Sequence, residues 1–268
     1  MRASLSYQNF NLNNYGSFFS FSNGSSNNLA AQFTLGRNSI SDPIYPTWGS
    51  NVEVSVRATM PYSLFRPADY YEDLSIEEQY KWVEYHKWKF KAEWYTPLSR
   101  SGGENPRTLV LKMAAGVGLI GQYDRGVPLS PFERFYMGGV FLSGYTLDGR
   151  EILNLRGYDD LSLTAPNPQT GAPVAAKYTA ELRYPISTNP SATIYTLAFL
   201  EGGSTWEDAR AFNPFQVYRS AGVGLKIFLP MFGLLGLDYG WRMDDVGAVP
   251  GMSRGQFHFS MGMNMGEL

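Results

Sequence analysis

Along most of the 268 residues apolar and polar positions alternate, and the pattern recurs often enough to predict about ten strands. Over residues 52–60, Val52, Val54, Val56, Ala58 and Met60 oppose Glu53, Ser55, Arg57 and Thr59. Over 86–96, Trp88, Phe90, Ala92 and Trp94 oppose Lys87, Lys89, Lys91 and Glu93. Residues 108–119 set Leu109, Leu111 and Met113 against Thr108, Lys112 and Ala114, and at about 3.3 Å per residue this length crosses a bilayer with a tilt. Similar segments cover 177–184, 192–206, 220–227 and 235–242, and the chain enters an alternating strand at its very start. The last segment is the cleanest: Phe257, Phe259, Met261, Met263 and Met265 alternate with Gln256, His258, Ser260, Gly262 and Asn264.

Period 2 alone fits either a soluble sandwich, whose apolar face meets a second sheet, or a transmembrane barrel, whose apolar face meets lipid. The terminal strand favours the barrel, because five large apolar residues on an edge in water invite aggregation. Repeated long strands with small or charged residues on one face suit a wet lumen, and aromatics near strand ends, as at Trp94-Tyr95 and Tyr239-Trp241, suit interfacial girdles. The fold expected is therefore all-β, an antiparallel transmembrane β-barrel, partial here with about ten strands and a long inward-folded loop. No catalytic or metal centre is needed to explain the pattern.

The connections differ in length. Residues 230–233 make a tight turn, whereas 63–85 and 121–173 are long, the asymmetry of periplasmic turns and extracellular loops. Ser75-Ile76-Glu77-Glu78 is a capping-box pattern and predicts a short helix in the first long loop.

Composition narrows the function classes. Aromatics make up 15% of residues, Gly numbers 28 and charged residues only 17%, as in aromatic-rich β proteins. A net charge of -2 with no basic run argues against nucleic-acid binding. The absence of Cys excludes thiolate chemistry and disulfides. No apolar run reaches the roughly 18 to 20 residues of a membrane helix, and a mean hydropathy of -0.25 says nothing against membrane strands. The first residues lack an export signal, so the expectation is a C-terminal part of a longer chain.

One stretch in the longest strand-poor region needs explaining: Asn154-Leu155-Arg156-Gly157-Tyr158-Asp159-Asp160-Leu161-Ser162. Arginine can grip carboxylates with a planar fork, Gly157 permits close backbone approach, and Tyr158 is an amphipathic wedge. The candidate carboxylates are Glu181 and Glu201 on the next two strands; the alternative is a solvated surface arginine. His258 and Ser260 share a face and could suggest a barrel hydrolase, but a lumen-lining role explains them as well. Asp159-Asp160 lacks further ligand spacing and reads as a solvated loop rather than a cation site. The row Lys87, Lys89, Lys91 and Glu93 reads as lumen lining. No cofactor is implied.

Leu155-Arg156-Gly157-Tyr158, with Phe135-Tyr136-Met137-Gly138-Gly139 before it, resembles the loop signature of the BamA family of outer-membrane protein assembly factors, in the bacterial surface antigen superfamily. Glu181 in Ala-Glu-Leu-Arg-Tyr-Pro and Glu201 in Phe-Leu-Glu-Gly-Gly-Ser-Thr-Trp resemble the family's acidic partners of the loop arginine, and residues 257–265 resemble its closing strand. The insertion at 140–153 resembles Bacteroidetes members. The resemblance implies that residues 1–268 are the C-terminal portion of an outer-membrane barrel domain, the first barrel strands and the POTRA domains being absent. It implies a lateral gate whose last strand carries Gln256, Phe257, Phe259, Met261, Gly262, Met263 and Met265. The implied partners are outer-membrane lipid, nascent β-barrel proteins and, in the full-length protein, accessory assembly lipoproteins. Protein folding and insertion through a lateral seam is the implied activity, with a two-partner secretion type of export pore as the alternative. This chain alone is expected not to support insertion.

Overall fold

In a computed structural model, residues 1–13, 24–67, 70–71, 73–100, 107–124, 126–140, 150–189, 191–246 and 254–262 are described. The strands are β1 (Arg2–Leu12), β2 (Gly24–Asn38), β3 (Gly49–Thr59), β4 (His86–Arg100), β5 (Thr108–Gly121), β6 (Phe135–Met137), β7 (Glu151–Leu153), β8 (Val174–Asn189), β9 (Ala192–Trp206), β10 (Tyr218–Leu229), β11 (Gly233–Arg242) and β12 (Gly255–Met261). Ten of them form one antiparallel sheet in chain order, β1-β2-β3-β4-β5-β8-β9-β10-β11-β12, with β1 and β12 at its edges. The ladder follows from sequence continuity: each strand returns beside its predecessor, so every internal strand has a neighbour on both sides, as lipid requires.

Side-chain alternation divides this sheet into an outer apolar face and an inner polar one. On β4, Trp88, Phe90 and Trp94 are exposed while Lys87 and Glu93 are buried. On β12, Phe257 is 63% exposed and His258 only 8%. A water-soluble protein would hide the phenylalanine and wet the histidine; the reversal identifies lipid as the outer solvent. Of the two pairs read as girdle aromatics, Tyr239 and Trp241 do lie outward, ring to ring at 4.7 Å. Trp94 also faces out, but Tyr95 is buried with the inner residues, because adjacent positions on a strand must point to opposite faces.

Long connections gather on one rim of the sheet, residues 60–85 and 122–173 among them, while the opposite rim has tight turns such as 230–232, closed by Phe232 N–H donating to the Leu229 carbonyl. In the first long loop Ser75 and Glu78 form the reciprocal cap of helix α1 (Ile76–Gln79): Ser75 N donates to Glu78 Oε2 at 3.1 Å and Glu78 N to Ser75 Oγ at 3.4 Å. The second loop is more structured than its sequence suggests. β6 and β7 pair in parallel within it, a contact between residues so far apart that no local periodicity announces it.

This second loop folds against the inner face. Its Phe132, Phe135, Met137, Leu153, Leu155 and Tyr158 pack with Tyr80, Val83, Tyr85, Ile120 and Ala175 into an apolar core inside the sheet. The same loop touches β3 and β4 at one end and β8 to β12 at the other, so the sheet curls around it.

Candidate functional site: the loop anchor and the edge strand

Arg156 is 7% exposed and meets three carboxylates from three strands. Its Nη2 donates to Glu181 Oε1 on β8 and to Glu201 Oε1 on β9, each at 2.7 Å, and its Nη1 to Asp238 Oδ1 on β11 at 3.3 Å. Its backbone amide donates to the other oxygen of Glu201 at 3.0 Å, and its guanidinium lies 3.6 Å above the Phe199 ring. Glu181 and Glu201, the two candidate carboxylates, are both buried on the inner face. Asp238 is the partner that sequence reasoning overlooked, although its position between outward Leu237 and Tyr239 was the available signal.

Further cations share these carboxylates. Arg183 grips the second oxygen of Glu181 from Nε at 2.8 Å and Nη2 at 2.5 Å. Lys226 donates to Asp238 Oδ2 at 2.6 Å, and Lys177 lies 3.5 Å from Glu201. Burial would by itself push the Arg156 guanidinium toward deprotonation; Glu201, Glu181 and Asp238 outweigh it and raise its pKa. The desolvation of so many charges is compensated only while every partner is present.

Gly157 sits at φ +89° with backbone on both sides: a Cβ built there would lie 3.1 to 3.2 Å from main-chain atoms of Trp241, Arg242 and Gly240. Its amide donates to His258 Nε2 on β12 at 2.8 Å, so that nitrogen is the acceptor and Nδ1 carries the proton of a neutral ring. Tyr158 is buried, donates its hydroxyl to the Arg219 carbonyl at 2.7 Å and packs edge-on to Tyr218. Burial pushes that hydroxyl up to about 12. Asp159 bonds Gln256 of β12, while Asp160 is exposed. The loop tip thus holds the last strand at Gln256 and at His258.

A second ionic cluster fixes the stem of the loop. Glu151 on β7 pairs with Lys87 at 2.5 Å and Lys89 at 2.8 Å, and Glu133 with Lys87 at 3.1 Å and Arg57 at 3.3 Å. Burial would raise the Glu151 carboxyl, but the two lysines outweigh it and bring it down to about 2. The lysine row that reads as lumen lining is, at Lys87 and Lys89, a binding surface for the loop.

Of the residues expected on the last strand, Gln256, Phe257, Phe259 and Met261 lie in β12. Gly262 falls just beyond it, at φ +120°, with its amide still donating to the Leu234 carbonyl at 2.9 Å. Among the described residues the strand runs Gly255–Met261; Met263 and Met265, also expected on it, lie outside the described residues.

These features have relatives. The crystal structure of BamA from Haemophilus ducreyi lacking POTRA domains 1-3 superposes with a TM-score of 0.57 at 16% identity, covering 88% of this chain and 42% of that one. At that identity the likeness is one of fold, and this chain spans less than half the length of the protein it matches. No curated protein matches the sequence. The profile of the Omp85 superfamily domain matches residues 2–265, nearly the whole sheet and its inner loop. With its apolar face outward, its charges inward and this match, the chain belongs to the Omp85 superfamily and is an outer-membrane β-barrel protein.

Proposed function

We propose that this chain is the C-terminal portion of a barrel that folds and inserts β-barrel proteins into the outer membrane through a lateral seam, with β12 as the last-strand side of that seam. One observation carries the reading: β12 is the edge of the sheet, and besides its ladder to β11 it is held by the loop tip, at His258 through the Gly157 amide and at Gln256 through Asp159. An edge strand in lipid must find a partner, because each unpaired backbone group costs several kcal/mol. An incoming strand can supply that pairing by β-augmentation. Arg156, locked to β8, β9 and β11, gives the loop a fixed base from which to brace the edge.

The partners on this reading are outer-membrane lipid, nascent β-barrel proteins and, in the full-length protein, accessory assembly lipoproteins. Export through the lumen, as in two-partner secretion, has to displace the loop together with the apolar core it builds with Tyr85 and Ile120. The test is folding of a substrate barrel into vesicles by the intact protein, with Gln256→Cys as a crosslinking probe on an otherwise cysteine-free chain. Accelerated folding and crosslinks to the substrate's terminal strand support insertion. Release of substrate across the bilayer without accelerated folding would instead assign export.

A further inference from the structure

The segment between β3 and β4 departs from the rest of the long-loop rim. The 3-10 turn Tyr62–Phe65 carries Leu64 at 68% and Phe65 at 76% exposure, next to exposed Met60 and Trp82. At its centre Ser63 is buried, and it clamps Glu84: its amide donates to Oε2 at 2.7 Å and its hydroxyl to Oε1 at 2.5 Å. Glu84 precedes β4, flanked by Val83 and Tyr85, which pack into the inner core, while Trp82 is exposed and His86 opens β4 on the face opposite inward Lys87. Through this clamp the turn is tied to the segment that leads into β4 at the rim.

The residues around Glu84 hold the turn further. Tyr62 packs at a tilt on Trp82 at 5.6 Å, Tyr123 edge-on to His86 at 5.4 Å, and Trp88 donates to His86 Nδ1 at 3.1 Å. Burial and the Glu84 carboxylate both push the Tyr62, Tyr71 and Tyr123 hydroxyls up. This buried carboxylate fixes a turn whose own apolar side chains, Leu64 and Phe65, are left exposed. Met60 continues the outward row of Val54, which is itself exposed, so the apolar surface runs without a break from the lipid-facing strand onto the turn.

We propose that Met60, Leu64, Phe65 and Trp82 form a foot that enters the headgroup and acyl boundary of the outer leaflet. The occupant of this surface is lipid, because the foot is continuous with the lipid-facing band and combines ring and aliphatic groups with tyrosine hydroxyls and an exposed Arg66, the mixture suited to that boundary. Arg66 lies over the Tyr70 ring at 4.3 Å. The foot would fix the height of the β3-β4 rim in the membrane, and it depends on the membrane orientation alone, independent of insertion or export.

The chain has no cysteine, so single labels can be placed cleanly. The intact protein is reconstituted in phosphatidylcholine vesicles with an environment-sensitive dye at Leu64→Cys or Phe65→Cys, at Glu77→Cys on the same loop and at Phe90→Cys on the lipid face. The expected result is blue-shifted emission at Leu64 and Phe65, quenched by lipids bearing a nitroxide near the headgroup, with neither effect at Glu77. Emission at both foot positions as red and as unquenched as at Glu77 overturns the proposal, and so does blue but unquenched emission, which would mean that the turn folds back on protein. Loss of quenching at Phe90 would refute the membrane orientation itself.

Discussion

Gly157 and Gly240 lie backbone against backbone: a Cβ on Gly240 would come within 2.6 Å of the Gly157 nitrogen and 2.9 Å of its Cα. The inner loop therefore rests on the main chain of β11, with no side chain between them. Only glycine on the strand allows this approach, and the approach brings Arg156 down to Asp238 on the same strand.

Gly240→Ala is accordingly expected to lift the loop tip and destabilise the barrel by about 1 to 3 kcal/mol, the cost of forcing an extra methyl into close packing. Gly233→Asn is the control, since a Cβ there meets nothing within 4 Å and Asn tolerates its φ of +78°. Heat-modifiable electrophoretic migration measures both; equal midpoints for the two variants would contradict the contact.

Arg156→Ala leaves Glu181, Glu201 and Asp238 facing one another without their shared cation, and about 3 to 5 kcal/mol of destabilisation is expected from breaking a buried ion network. Lys should rescue poorly, because it cannot fork between two strands. Adding Glu201→Gln to Arg156→Ala should recover part of the loss. A double variant less stable than the sum of its single changes would refute shared charge as the cause.

The stem should respond to acid. Glu151 titrates near 2 in the folded protein against an ordinary value of 4.5, so its contribution is complete above about pH 4.5 and disappears as pH falls toward 2. Protection of residues 150–156 against hydrogen exchange, taken relative to the free-peptide rate at each pH, should fall over that interval, and Glu151→Gln should remove that fall. A loss of protection that persists in the variant would assign the effect elsewhere.

Loss of one part-buried hydrogen bond is the expectation for Tyr158→Phe, which keeps the ring beside Tyr218 and removes the bond to the Arg219 carbonyl. A cost of about 1 kcal/mol follows, smaller than for Arg156→Ala. Urea unfolding in bilayers measures it; a cost equal to that of Arg156→Ala would show that the hydroxyl carries more than this bond.

Leu200→Arg, at an outward position on β9 that is 57% exposed, should cost about 2 to 4 kcal/mol if it sits near the bilayer midplane. Folding yield against vesicles of increasing thickness gives the readout. A neutral result would move lipid off this face.

The strands and the direction of their faces were legible in the sequence because a two-residue period is a local property: Trp88 and Lys87 declare opposite faces without reference to anything distant. Alternation set Glu181 inward, the cost of a carboxylate in lipid set Glu201 inward, and the Arg-Gly-Tyr stretch marked a loop able to meet them. What meets what was settled only by the tertiary fold. Asp238 joins Arg156 across 82 positions of sequence, Lys87 meets Glu151 across the lumen, and the amide of Gly157 finds His258 on the edge strand. Periodicity gives each residue a side of the sheet but no depth along it and no partner across it. Those depend on strand register and on how far the sheet curls, which are properties of the whole ladder rather than of any segment.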